Sequence, residues 1–314
     1  MSTWIKDARL VDLCILANVD DSITNLHVSE SYELVRVSTQ DILNKASQVL
    51  SIPPTNLFDA LSFLRYYPRE NPQLESFLYG GEKILAYLYA IRRTSNDFKD
   101  KTMKSDFSFG EANNAFQLAR LMVECNPTIP ISIQYAEDIA TGDLRDSYGG
   151  RWTHIVFPHK PLALTGEEWE RLNYLNAVVK LPFEDKVLDL AQQNFEISYG
   201  MNPLHLNFLS VMIGFEVLMG ADNREIVHQI ARNVAVLLSE DNESGEKIYK
   251  DIKSLYDIRS RLVHDGKASK LTISKMLEAR RYLGRLILRS HEINLPMDEL
   301  RKLLNASGYG DFYK

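Results

Sequence analysis

From Thr165 onward, almost every segment of the chain repeats its apolar residues at the period of an α-helix. Long stretches at 183–199, 204–220, 224–239, 244–265 and 270–293 all carry that pattern. They are preceded by "TGEEWERLNYLNAVV", where Thr165 is followed three residues later by Glu168, the spacing of a capping box. Gly220 and Gly266 stand where helix C-caps belong. Amphipathic helices joined by short loops bury their apolar stripes against one another, so this half predicts an antiparallel bundle.

The first half is mixed. Residues 9–19 and 31–38 are β-branched and partly alternating, as strands are. "TQDILNKASQVL" at 39–50 reads as a helix, and the prolines at 53 and 54 interrupt the chain after it. Helical patterns are expected at 56–67, 81–94 and 111–125, with a break near 68–72 and a polar loop at 95–110. Strands are expected at 129–135 and 151–157, on either side of the turn-rich 141–150. The reading is α+β overall: a mixed α/β N-terminal domain over 1–165, then an all-α antiparallel helical bundle over 166–314. No internal repeat or low-complexity tract interrupts it.

Composition narrows the partners. A net charge of -6 argues against a protein coated in positive charge, so any nucleic-acid contact must be a local basic groove. Cys14 and Cys125 are the only cysteines, which gives neither a disulfide framework nor a paired-cysteine zinc spacing and fits a reducing compartment. The first residues, "MSTWIKDARLVDLCIL", make a poor signal peptide, and no window has the uninterrupted apolar length of a membrane helix. A cytoplasmic protein with no membrane partner is expected. No phosphate-cradling glycine loop, nucleophile elbow or Cys/His catalytic pattern is present, so no cofactor is expected. His154 and His159 flank "IVFP" near Asp143 and Asp146, but their spacing matches no strong ligand pattern, and no metal is expected. His205, His228 and His291 sit in helical segments without a ligand partner at i+3 or i+4 and read as structural.

One helix ends unusually. In "KSLYDIRSRLVHDGKAS", at 253–269, Leu255, Ile258, Leu262 and Val263 supply the apolar residues, yet Arg259 and Arg261 lie among them and His264 closes the helix before Asp265 and Gly266. A histidine that titrates near neutrality can exchange a proton, and an arginine presents a fixed fork to a phosphate. On an ideal helix a five-residue offset separates the two by about 140° in azimuth, so they do not stack on one face. The plain alternative is a solvated arginine and a helix-terminal histidine that satisfies carbonyls. The spacing of Asp257 and Arg261 also allows an i,i+4 salt bridge.

Arg259 and His264, with four residues between them at the end of a long helix in an all-helical C-terminal half, resemble the HEPN superfamily, and more narrowly its Apea-like group. The order of segments carries the resemblance: "FLSVMIGFEVLMG" with Glu216, then "EIVHQIARNVAVLLS", then "LYDIRSRLVHDG". It covers roughly residues 183–293 and does not reach the N-terminal half. It implies metal-independent endoribonuclease activity from a composite site in a homodimer, in antiviral defence or stress. It also implies catalytic roles for Arg259 and His264, with Ser260 as the polar residue after the arginine, and RNA as partner. Glu216 is either a charge partner that orients Arg259 or a helix-edge carboxylate paired to a lysine or arginine. Arg261 is assigned to phosphate contact. Because some members of that superfamily have lost activity, a catalytically inactive module for dimerisation or RNA/nucleotide binding is the alternative. A third expectation is a regulatory ligand on the N-terminal domain with cleavage as its output. Arg280, Arg281, Arg285 and Arg289 form a basic run that is read as either a solvated helix side or an RNA-binding stripe.

Overall fold

The computed structural model describes residues 7–61, 64, 75–98, 107–152, 161–200, 203–220, 226–266 and 270–313. The chain forms two compact units. The first holds residues 1–118 and 125–178, and the second holds 119–124 and 179–314.

In the first unit β1 (Ala8–Ala17) is followed by β2 (Glu33–Ser38), α1 (Thr39–Leu50) and α2 (Pro54–Ala60). Next come β3 (Ser76–Tyr79), β4 (Glu82–Leu85), β5 (Tyr87–Ser95) and α3 (Phe107–Met122), the last of which runs into the second unit. β6 (Thr128–Asp138), β7 (Leu144–Trp152) and α4 (Gly166–Val178) complete it. Five strands make one sheet in the order β2-β5-β1-β6-β7, and every pairing in it is antiparallel. The N-terminal unit is therefore α+β with an antiparallel sheet. β1 lies at the centre and is buried along nearly its whole length, which explains its almost continuous apolar run. Val11, Leu13 and Ile15 of β1, Ile131 and Ile133 of β6, and Ile42, Leu43 and Ala46 of α1 share one core. Each large aliphatic side chain buried there contributes about 1.5–3 kcal/mol relative to exposure. α1 starts on Ser38, whose side chain accepts from the Asp41 N–H, and ends on Ser51 in the left-handed conformation at φ 55°.

The segment 81–94, expected to be a helix, instead forms β4 and β5. Gly80 and Gly81, at φ 56° and 84°, make a two-residue hairpin turn with Tyr79 paired to Glu82. Beyond it Leu88 and Ala90 point into the core while Tyr87 and Tyr89 alternate outward. Lys, Leu and Ala favour helix locally, but pairing with β1 and β2 overrides that preference. The turn-rich 141–150 is also partly strand, because β7 begins at Leu144. The strand expected at 151–157 is described only at Arg151 and Trp152, where it ends β7. The expected helix at 56–67 is described only in part, as the end of α2, and the expected break at 68–72 lies outside the described residues. α3 begins at Phe107, earlier than expected.

α4 opens with the capping box that Thr165 and Glu168 foreshadow: Glu168 Oε2 accepts from the Thr165 N–H at 2.8 Å, and Thr165 Oγ1 accepts from the Glu168 N–H at 3.4 Å. Two of its asparagines tie it to the sheet-bearing unit. Asn173 accepts from the His27 N–H at 2.9 Å and donates to the Asn25 carbonyl at 2.8 Å, and Asn176 accepts from Asn114 at 2.8 Å. The units accordingly divide after Val178 rather than after 165.

The second unit is helical: α5 (Lys186–Gly200), α6 (Leu204–Met219), α7 (Ile226–Leu238), α8 (Asn242–Asp265), α9 (Ile273–Ile293) and α10 (Met297–Ala306). α5 packs on α6, α7 packs on α8, and α9 touches all four. α6 is buried on most of its surface, and a Cβ on its Gly214 would come within 2.5 Å of the end of the Leu283 side chain, so a larger residue there requires Leu283 to move. Among the described residues no helix is long and apolar enough to cross a membrane.

Candidate functional site

The site is built on α8. Asp241 and Ser244 form a capping box at its start, and Ile248, Ile252, Leu255, Tyr256 and Ile258 make its buried face. At its end Gly266 takes φ 64° and donates its N–H to the Arg261 carbonyl. Arg259 continues the line of Ile252 and Tyr256 along the helix and is half-buried, whereas Ser260, Arg261 and His264 are exposed. Every residue from Asn242 to Asp265 is α-helical, so no local distortion swings His264 round to Arg259. Within one chain the ideal-helix offset of about 140° between them stands.

Glu216 reaches Arg259 from α6, Oε1 to Nη2 at 3.2 Å. The structure thus brings together two residues 43 positions apart in sequence, Glu216 and Arg259. Their side chains are 29% and 33% exposed, so the pair is screened and stabilises the fold by no more than about 1 kcal/mol. A guanidinium held this loosely is available to a stronger anion. No ion pair joins Asp257 to Arg261 among the described residues, although their spacing allows one, and Arg261 faces solvent.

Tyr256, one turn before Arg259, was not singled out by the sequence reading. It is 4% exposed, and its hydroxyl has no hydrogen-bond partner among the described residues. Burial pushes its pKa well above the ordinary phenol value; the charge of Glu216 raises it further, and Arg259 opposes the rise. The signal available in sequence was its i,i+3 spacing from Arg259 on a helix whose buried face is otherwise aliphatic.

On its other side Glu216 lines a pocket of about 500 Å³, together with Gln229 at the start of α7 and Lys302 and Asn305 of α10. Arg301, beside them, is committed elsewhere: it donates to the Val217 and Leu218 carbonyls at 2.6 and 2.8 Å and pairs with Asp298 at 3.0 Å.

The same commitment dissolves most of the basic run on α9. Arg280 is 2% exposed, donates to the Ser198 carbonyl and hydroxyl at the end of α5, and stacks 4.0 Å from the Tyr199 ring centroid. Burial lowers its pKa. Arg285 donates to the Leu238 carbonyl that ends α7, and Arg289 to the Phe312 carbonyl and to Glu292. Arg281 alone of the four is exposed, beside Tyr282. The run is neither a solvated side nor an RNA-binding stripe; three of its members are internal braces.

No family model matches the chain, and neither does any curated protein or solved structure. Function is therefore argued from the geometry of these residues.

The other candidates are quickly placed. Among the described residues no group of three or more His, Cys, Asp or Glu side chains could hold a metal ion, and His154 and His159 lie outside those residues. Asp143 accepts from the Thr141 hydroxyl, and Asp146 from the Ser147 N–H. His228 Nδ1 lies 2.7 Å from the Tyr249 hydroxyl, and His291 packs against Phe183. His205 is half-buried in α6. Cys14 and Cys125 are both buried.

Proposed function

We propose that the helical unit is an antiparallel bundle of the HEPN kind, similar to the Apea-like group, and that the chain is a metal-independent endoribonuclease acting as a homodimer. The observation that carries this reading is the Glu216–Arg259 pair beside a helix end that exposes Ser260, Arg261 and His264. RNA brings its own nucleophile, the 2′-hydroxyl next to the scissile phosphate. His264, open to solvent, exchanges the proton of that hydroxyl. Arg259 leaves its loose pair with Glu216 and takes the phosphoryl oxygens, where its fork matches the developing charge. Ser260 and Arg261 supply further contacts to the strand. Because Arg259 and His264 point apart on a regular helix, the centre is completed by the same helix of a second copy. Exposed apolar side chains of the helical unit, among them Leu190 and Ile197 of α5 and Ile213 of α6, are available for such a copy to cover. A role in antiviral defence or stress, in the cytoplasm, belongs to the same proposal.

The purified protein should cleave single-stranded RNA and keep that activity in EDTA, since the residues invoked act without a Lewis acid. Activity that vanishes in EDTA and returns with magnesium would contradict the assigned chemistry.

The second reading is a silent module for dimerisation or RNA/nucleotide binding. The pocket beside Glu216 favours it, with the size of a small-ligand site and a lysine, a carboxylate and two amides around it. RNA or nucleotide bound without turnover, unaffected by His264→Ala, would select this reading.

A further inference from the structure

A buried hydroxyl with no partner is uncommon and costly, because it has lost water and gained nothing. Tyr256 is such a group, and its position in the fold is specific. It lies one turn before Arg259 on the same face of α8, while Glu216 holds Arg259 from α6. The charged groups whose fields reach the phenol are Glu216 and Arg259. In the structure the Glu216 carboxylate is turned to the guanidinium, and the hydroxyl has no acceptor among the described residues. Glu216 is half-buried, so the departure of Arg259 would leave a carboxylate partly stripped of water and without a counter-charge. A donor already in place and unused would offset that loss.

We propose that Tyr256 is a positioning residue that exchanges places with Arg259: when the arginine leaves Glu216 for an external anion, the Tyr256 hydroxyl donates to Glu216 instead. This rests on the reading of Arg259 as the phosphate-binding group and adds how its release is made cheap. In this exchange the Glu216 carboxylate turns from the guanidinium to the phenol. The orphaned hydroxyl of the resting state is thereby explained as the unfilled half of a two-position contact. An inert core tyrosine would contribute the same amount to folding whether or not Arg259 were present.

The test is a double-mutant cycle on folding stability, which needs no RNA. In the wild-type background Tyr256→Phe removes an unsatisfied hydroxyl, so the folding equilibrium constant should be unchanged or rise severalfold. In an Arg259→Met background Glu216 needs the phenol, and the same substitution should lower that constant about three- to tenfold. Adding Glu216→Ala to both backgrounds should abolish the difference. If Arg259→Met does not fold, Arg259→Gln replaces it. An effect of Tyr256→Phe that is equal in the two backgrounds overturns the exchange. A sign reversal supports it even if the wild-type protein cleaves no RNA, in which case only the ribonuclease reading falls. Cleavage without the reversal leaves that reading standing and removes Tyr256 from it.

Discussion

The two units bury charge in opposite ways. In the sheet-bearing unit the partners are ionised carboxylates. Glu137, 4% exposed at the end of β6, takes Arg9 at 2.8 Å and Lys45 at 3.3 Å, and Asp138 beside it takes Arg145. In the helical unit the partners are mostly backbone carbonyls. Arg280 closes α5, Arg301 closes α6, Arg285 closes α7, and Arg232 donates to Leu304 and Ser307 at the end of α10. The difference follows from the elements. Sheet carbonyls are consumed by ladder bonds, whereas each helix leaves its last carbonyls unpaired at the negative end of its dipole. A buried arginine in a helical bundle thus finds neutral acceptors that do not titrate, while one beside a sheet needs a carboxylate. Arg120 with Glu196 and Arg259 with Glu216 pair instead with a carboxylate from another helix, and the second of these is the candidate site.

The largest effect expected on stability is at Arg280. Arg280→Leu leaves the Ser198 carbonyl buried without its donor and removes the cation from the Tyr199 ring. It should cost about 2–4 kcal/mol. Far-ultraviolet circular dichroism suits this measurement because the signal is dominated by helix. A loss under about 0.5 kcal/mol would mean that the arginine caps are ornamental and that the contrast between the units is empty.

Glu137→Gln comes next. It keeps the shape but leaves Lys45 with only the more exposed Asp41 at 3.3 Å. Because Arg9 and Lys45 keep some access to water, the cost should be about 1–2 kcal/mol, less than for a fully buried pair. Of the three tryptophans, Trp152 and Trp169 lie in the sheet-bearing unit, so tryptophan fluorescence follows that unit. The fluorescence midpoint in urea should fall while most of the helical signal, which comes from the second unit, stays in place.

Acid sharpens the comparison further. Arg145 and the N–H groups of Thr141 and Ala140 hold the Asp138 carboxyl at about 2, below its ordinary value. A carboxyl that titrates lower when folded stabilises fully above about pH 4, the unfolded value, and loses that contribution as pH falls toward 2. Tryptophan fluorescence should therefore shift in this window before the helical signal does, and Asp138→Asn should remove part of the early shift. Simultaneous loss of both signals in the variant and the wild type would show that the two charge arrangements respond alike.

How much of this was legible in sequence depended on how local the cause was. α1 and the Thr165–Glu168 capping box could be read because their caps and periods lie within a few residues. The long helices of the second unit were legible from period alone. β5 was missed because its strand character comes from β1 and β2, and the Gly80–Gly81 turn that announces the hairpin was read as a helix start. α4 was legible as a helix but not as part of the first unit, since Asn173 and Asn176 find partners nearly 150 and 62 positions away. At the site, that Arg259 is the cation Glu216 meets needed the fold, because the two lie on different helices. Tyr256 looked like any core aromatic, because a missing partner cannot be seen in sequence. The arginines of α9 were misjudged for a related reason: a run of cations looks alike whether it faces solvent or carbonyls.

The smallest stability effect is expected at His264, which belongs to neither arrangement. It is exposed in the last turn of α8, where Gly266 already closes the helix end. His264→Ala should change stability by less than about 0.5 kcal/mol, as surface substitutions do. If the proposed function holds, the same variant should lose RNA cleavage, so the position that matters least to the fold would matter most to the reaction. Mixing tests whether the centre is shared. When wild-type and His264→Ala chains are co-refolded in equal amounts, independent sites leave about half the activity. A centre that needs both histidines leaves about a quarter, the fraction of dimers that are wild-type on both sides. Distinguishable tags establish that the chains have exchanged. Activity near half would mean that each centre uses a single histidine. Mixing Arg259→Ala with His264→Ala chains would then separate a centre shared between copies, which regains activity, from one held within a chain, which does not.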